Sequence, residues 1–304
     1  MPANTFHAEI SKNTPKKEQG FTLIELSIVL VIIGLIVGGV LVGQDLIRAA
    51  EIRATISQIE KYNTAVNTFR GKYNAIPGDL NSATATTFGF TARGSNAGEG
   101  DGNGVIEGIT SNASGVNNGY LQGGETTTFW VDLSVGNPST PMNINLIDGS
   151  FTQAAPSGGF TVASGSQASY WPAAKLGRGN YVYVWSSNGT NYFGLAPITS
   201  VAAGVPTMGS ASMTIQQAYQ IDKKVDDGYP ATGSVMAVWG GNTAGTAIAA
   251  NTAVPTAGTN TVNGVANASL SSTSCYDSTN NVYALSYGGN NGAGATCAIS
   301  FRFQ

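Results

Sequence analysis

The stretch G-F-T-L-I-E-L-S-I-V-L-V-I-I-G-L-I-V-G-G-V-L-V-G, Gly20 to Gly43, carries a single charge, Glu25, in an otherwise apolar run. As a helix from Phe21 to Gly43 it would be about 34 Å long, enough to cross a hydrocarbon layer of ~30 Å. The run therefore predicts a membrane span. A charge at the centre of such a helix costs about 2.5–3.5 kcal/mol on the mildest scale, so Glu25 needs a partner. A secretory signal is a poorer fit, because its apolar core is usually ~7–15 residues with a small-residue cleavage site behind it. Here the run is longer, and Gln44-Asp45-Leu46-Ile47-Arg48 separates it from Ala49 and Ala50. A plain membrane anchor would have no use for Glu25.

A basic leader, then Gly20, Phe21 and a carboxylate at Glu25 inside an apolar stretch, resembles the N-terminus of a type IV prepilin or a type II secretion pseudopilin. The resemblance implies that a membrane-bound prepilin peptidase cuts between Gly20 and Phe21 on the cytoplasmic side and that the new amino group of Phe21 is methylated. It also implies that Glu25 pairs with the Phe21 ammonium of a neighbouring subunit as the apolar helices stack into a filament core. The expected partners are thus the inner membrane, the peptidase, the assembly machinery and other copies or related pilin subunits. Lys12, Lys16 and Lys17 before the span favour a cytoplasmic leader and an exported body, although Arg48 and Arg53 beyond it make the bias mild.

Outward from the span the helical pattern continues, with Ile52, Ile56, Ile59, Val66, Phe69 and Tyr73 spaced by three, four and seven. One helix from about Phe21 to Lys72, roughly 78 Å long, is expected to stop at Y-N-A-I-P-G-D, where Pro77 and Gly78 oppose continuation. Gly34, Gly38, Gly39 and Gly43 give G-x-x-x-G spacings that permit close helix contact and also weaken the helix locally. Gly89 to Gly124 reads as loop, followed by a short helix from Glu125 to Leu133 with Phe129, Trp130 and Leu133 on one side. Y-V-Y-V-W and N-Y-F-G-L-A-P-I, from Tyr181 onward, read as a hairpin turning at Asn188-Gly189. Thr214 and Gln217 have capping-box spacing ahead of a helix to about Lys224, ended by D-D-G-Y-P. Further strands are expected at Ser234–Trp239 and Ala298–Phe303, with another at Val282–Tyr287, and no reliable structure at Gly240–Ser274.

The fold expected is α+β and pilin-like: a leader over 1–20, a membrane or filament-core helix half over 21–43, an amphipathic half over 44–73, and a head over 74–304 on an antiparallel sheet. Charged residues are 10% of the chain while glycine alone numbers 40, which suits a loop-rich exported protein. Without residues 1–20 the chain keeps 11 Lys+Arg against 15 Asp+Glu, so nucleic acid is not an expected partner. In an exported protein the two cysteines, Cys275 and Cys297, imply a disulfide, as the resemblance also does.

His7 in the leader is the only histidine, so a mature protein has no Ser-His-Asp or Cys-His pair and no histidine-ligated metal. G-x-S-x-G and phosphate-loop sequences are missing too, and a structural rather than enzymatic role is expected. One stretch suggests a site. E-G-D-G-N-G-V-I-E places Glu99, Asp101 and Asn103 on alternate positions, Gly104 at a sharp turn, Val105 with its carbonyl and Glu107 beyond, like the first part of an EF-hand calcium loop. Glu99 stands where Asp is usual and Thr110 where a bidentate Glu closes the shell. Those departures weigh toward a solvated Gly/Asn turn and no cofactor, with calcium as the alternative. Tyr181, Tyr183, Trp185, Tyr192 and Phe193 are expected to pack the sheet on the long helix rather than form a ligand platform. The function expected is a filament subunit, pilus or pseudopilus, major or minor; the alternative is a minor pilin whose head is an adhesive or substrate-binding module.

Overall fold

The computed structural model describes residues 20–90, 92–94, 98–108, 123–134, 144–155, 160–187, 189–202, 205–208, 213–240, 247–249, 275–277, 280–285 and 295–303. The leader ahead of Gly20, Asn188, half of Gly89–Gly124 and most of Gly240–Ser274 lie outside these. The chain divides into two compact units, Met1–Arg48 and Ala49–Gln304.

Helix α1 spans Leu23–Tyr73. Among the described residues it is the one helix long and apolar enough to cross a membrane. In the second unit its inward face is Ile52, Thr55, Ile59, Tyr62, Ala65, Val66, Phe69 and Tyr73, the three-and-four spacing that lines one side of an α-helix. Its end differs in mechanism from the sequence expectation. Asn74 takes a left-handed conformation (φ 53°) and its N–H reaches the Arg70 carbonyl at 2.8 Å, so the helix closes on an asparagine cap before Pro77 is reached.

Helices α2 (Ser82–Thr87) and α3 (Glu125–Ser134) follow. Asn81 caps α2, its side chain accepting the Thr84 N–H at 2.9 Å. Every residue of α3 is buried, not only the side bearing Phe129, Trp130 and Leu133. Beyond it come β1 (Tyr181–Ser187), β2 (Thr190–Ala196), β3 (Ile198–Ala202), β4 (Val205–Met208), β5 (Met213–Thr214), α4 (Ile215–Val225), β6 (Val235–Met236), β7 (Val238–Gly240), β8 (Ala247–Ala249), β9 (Tyr276–Asp277), β10 (Val282–Tyr283), β11 (Ala295–Cys297) and β12 (Ile299–Arg302). The expected α+β architecture on an antiparallel sheet is present. The expected strand over Ser234–Trp239 is broken at Ala237 into β6, which joins the main sheet, and β7, which pairs with β8. The ribbon of β3 and β4 was not predicted, because its strands are short and carry the turn-like A-A-G-V-P between them.

The main sheet has the order β1-β2-β12-β6, all antiparallel. Val184, Phe193, Phe301 and Val235 stand opposite one another in successive strands and so share one face. That face meets α1 and α3. Phe193 lies 6.1 Å from Tyr62, 6.0 Å from Phe129 and 6.2 Å from Trp130, centroid to centroid. On the opposite face Trp185 stacks on Tyr192 at 4.9 Å, and its indole N–H donates to Ser300 Oγ at 3.0 Å. Tyr183, Trp185 and Phe193 are fully buried, so the hairpin aromatics serve the core.

The capping box at α4 forms as expected, with Gln217 N–H on Thr214 Oγ1 and Thr214 N–H on Gln217 Oε1. Cys275 and Cys297 are joined. Since β11 pairs with β5 and runs into β12, this link ties the small β9–β10 ribbon to the main sheet.

Candidate functional site

Gly20 and Phe21 precede the first turn of α1, and Phe21 is 92% exposed. Thr22 and Glu25 close that turn on each other. Glu25 Oε2 accepts the Thr22 N–H at 2.8 Å and the Thr22 hydroxyl at 2.7 Å, while Thr22 Oγ1 receives the Glu25 N–H at 3.3 Å. This is the reciprocal bonding of a capping box, with a carboxylate at the positive end of the helix. From Gly20 to Val42 every residue is exposed, so the apolar surface runs around the whole helix and requires lipid or other subunits to cover it.

The acidic stretch in the head is built by three glycines. Gly100, Gly102 and Gly104 have φ of 89°, 80° and 87°, a conformation open to glycine at little cost. Their N–H groups all find carboxylates: Gly100 donates to Glu125 Oε1 at 2.8 Å, Gly102 to Asp79 Oδ1 at 2.8 Å and Gly104 to Asp79 Oδ2 at 2.7 Å. Glu125 Oε2 accepts the Glu107 N–H at 2.8 Å. Asp101 and Asn103 each fold onto the N–H two residues ahead, at 3.0 Å and 2.7 Å, the Asx-turn bond. Asn191 and Ser186 then pin the far end: Asn191 Oδ1 accepts the Ile106 N–H, and the Ser186 hydroxyl donates to the Ile106 carbonyl. The loop is thus fixed to the tip of the β1–β2 hairpin.

Oxygens of Asp79, Asp101 and Glu125 lie within 4.8 Å of one another. Unit charges this close repel by at least about 3 kcal/mol per pair at an effective dielectric of about 20. The chain supplies donors but little positive charge here. Burial pushes the Asp79 carboxyl up to about 7, against the Gly104 and Gly102 N–H bonds that favour its anion. Burial and the Asp79 charge hold Glu125 well above the ordinary carboxylate range. Glu107 is fully buried, and neither of its side-chain oxygens meets a donor in hydrogen-bonding geometry. Burial, then Asp101, raise its carboxyl; the Asn103 amide and Gly98 N–H are near enough to oppose the rise without reversing it. Among the described residues the buried cation Arg93 pairs with Asp132, which also takes the Gly78 N–H at 2.6 Å.

Of the residues predicted as calcium ligands, Asp101 joins this cluster and Glu107 lies close enough for its charge to oppose that of Asp101. Asn103 bonds to Asp101 through its amide at 3.0 Å. Val105 has its N–H on Asn103. Glu99 is turned away against Gly94, where its carboxyl fills the space a β-carbon would take.

Residues 15–41 match the prokaryotic N-terminal methylation motif. That motif is the hallmark of type IV pilin and pseudopilin precursors. It implies cleavage by a prepilin peptidase and assembly with other pilins, and it marks a structural rather than catalytic family. Together with the exposed apolar helix it fits anchoring in the inner membrane before assembly. The matched segment contains the Gly20-Phe21 junction and Glu25 and ends within the apolar run, ahead of the head. Neither the curated proteins nor the solved structures give a match to the chain.

Three residues of these sites were not found by sequence reasoning. Thr22 could have been, since T-x-x-E ahead of an apolar run is a capping-box signature. Asp79 and Glu125 are 22 residues before and 24 residues after Asp101, beyond any local spacing rule, and only folding brings them beside it.

Proposed function

We propose that this protein is a structural subunit of a type IV pilus or pseudopilus-like filament. The precursor is stored in the inner membrane with its N-terminus in the cytoplasm, cleaved after Gly20, methylated on the Phe21 amino group and polymerised through its N-terminal helix. One observation carries the reading: the methylation motif lies in register with a helix that starts just after Phe21, holds Glu25 in its first turn and runs on through an apolar stretch exposed as far as Val42. Lipid covers that surface before assembly, and neighbouring helices cover it afterwards. The Glu25 carboxylate is held at the helix start by Thr22, four residues from Phe21, where the ammonium of an adjacent subunit can meet it in a medium of low dielectric.

Mass spectrometry of protein sheared from cells tests this directly. The expected N-terminal peptide begins at Phe21 and carries one additional methyl group. An N-terminus after Ala50, or absence from the sheared fraction with accumulation in the membrane, would overturn the reading.

A further inference from the structure

In the second unit a cavity of about 540 Å³ opens between α1 and the segments 148–151 and 168–175, within the size range of small-molecule sites. Gln58 builds one wall. From α1 its amide donates to the Tyr62 hydroxyl at 2.8 Å and to the Ala173 carbonyl at 2.9 Å, and its side-chain oxygen accepts the Lys175 N–H at 2.8 Å. The two segments are tied to each other by the Thr152 N–H on the Ser169 carbonyl at 2.7 Å. Gly149, at φ +119°, lets the Phe151 ring fold over it; a β-carbon there would stand 2.9 Å from the ring. The walls are therefore fixed by bonds that leave other polar groups of the lining unused.

The lining is of two kinds. Tyr62, Phe151 and Trp171 supply aromatic surface, and beside them stand Ser57, Ser150, Lys61, Lys175 and Asp148. Lys61 pairs with Asp148 at 2.6 Å. Together with Lys61, Lys175 holds the Asp148 carboxyl below its ordinary value, so both ammonium groups act on it. Two cations sharing one carboxylate leave one positive charge in excess, on a chain that is acidic once its leader is removed. Among the described residues the Lys175 ammonium and the hydroxyls of Ser57 and Ser150 have no hydrogen-bond or ion-pair partner. Aromatic surface beside free hydroxyls and a spare cation matches a sugar ring that carries a carboxylate: the C–H face of the ring covers the aromatics, its hydroxyls meet the serines, and its carboxylate answers the cation. A neutral sugar would leave the cation unanswered. A small carboxylate without a ring would leave the aromatic wall wet.

We propose that this cavity binds an acidic saccharide, a uronic acid unit, with its carboxylate on Lys175 and its ring against Phe151 and Tyr62. The site lies wholly within the second unit and goes beyond the filament reading, since it depends neither on cleavage at Gly20 nor on assembly.

The test uses the full chain purified in a detergent without a sugar headgroup, with saturation-transfer difference NMR read on the probe. Sodium glucuronate is expected to bind more tightly than glucose, which lacks the charge, and more tightly than acetate, which lacks the ring. Lys175→Gln is expected to weaken glucuronate binding about fivefold, the scale of an exposed ion pair, and to leave glucose unaffected. Ser57→Trp, at an exposed position of α1, fills the cavity and is expected to abolish binding. Lys224→Gln, which removes the same charge from α4, is expected to bind as the wild type does. Sodium chloride at about 0.5 M should bring glucuronate down toward glucose. No transfer to glucuronate up to about 20 mM, well above a millimolar dissociation constant, would overturn the proposal. So would equal binding of glucuronate and glucose, equal binding of glucuronate and acetate, or wild-type binding by Lys175→Gln. Undiminished binding by a Ser57→Trp protein with a wild-type melting temperature would place the sugar elsewhere and overturn it as well; if that variant does not fold, Lys175→Gln decides.

Discussion

Glu25 has two separable properties at the first turn of α1, its charge and its hydrogen bonds to Thr22. Glutamine at the same position keeps a side-chain oxygen for the capping box and loses the charge. If filament assembly depends on pairing with the Phe21 ammonium, Glu25→Gln is expected to be as defective as Glu25→Val, with insertion and cleavage preserved in both. Glu25→Asp should retain part of the activity. Quantifying each variant in the sheared and membrane fractions checks this, and normal filament yield from Glu25→Gln would assign Glu25 to capping alone. Asp79 sets a second prediction at this scale. Its ordinary value of 3.8 rises to about 7 in the fold, so the folded state holds the proton more tightly than the unfolded chain. Stability from this group is complete below the unfolded value and is lost as pH rises through the folded one. Without divalent cations the head should therefore lose on the order of 2–4 kcal/mol between pH 4 and pH 7.5, with Asp101, Glu107 and Glu125 adding to the repulsion. Urea midpoints in EDTA measure it. Asp79→Asn should flatten the slope.

Among the elements, α3 shows why a short helix can matter more than its length suggests. All ten residues are buried, and Asp132 within it binds both Arg93 and the Gly78 N–H. Their side chains are 1% and 0% exposed for Arg93 and Asp132 respectively. Removing one partner leaves a buried charge uncompensated, so Asp132→Asn is expected to cost about 3–5 kcal/mol in chemical denaturation. Gly78 marks the same junction. Its φ is +87°, and a β-carbon there would stand 2.7 Å from the Glu125 carbonyl oxygen. Gly78→Ala should cost at least about 1–2 kcal/mol, from the left-handed conformation alone. The disulfide joins the β9–β10 ribbon to β11, and for a sequence separation of 22 the chain-entropy model gives roughly 3 kcal/mol. Reductant should lower the denaturation midpoint of the wild type while leaving a Cys275→Ser/Cys297→Ser protein unchanged.

For the whole molecule, the sequence was most legible where a single local rule governs structure. The apolar run with Glu25, the i+3 and i+4 spacing from Ile52 to Tyr73, the Asn-Gly hairpin and the Thr214-Gln217 box each depend on residues within one or two turns of each other. The helix, the pairing of β1 with β2 and the capping box appear in the fold as read, while Asn188 of the turn lies outside the described residues. A helix that must be covered on all sides is also legible, because composition alone fixes it. Tertiary structure decided the rest. Whether Ser234–Trp239 is one strand or two depends on β12 pairing with its first half and β8 with its second, which no local preference encodes. The burial of all of α3 follows from what packs around it. The acidic cluster is the clearest case. Of the residues the sequence singles out in this loop Asp101 enters the cluster, and Asp79 and Glu125 lie beside it only because α1 ends at Asn74 and the glycine loop turns its N–H groups inward. Electrostatic partners are set by distance in space, and that distance is fixed only after the core has brought remote segments together.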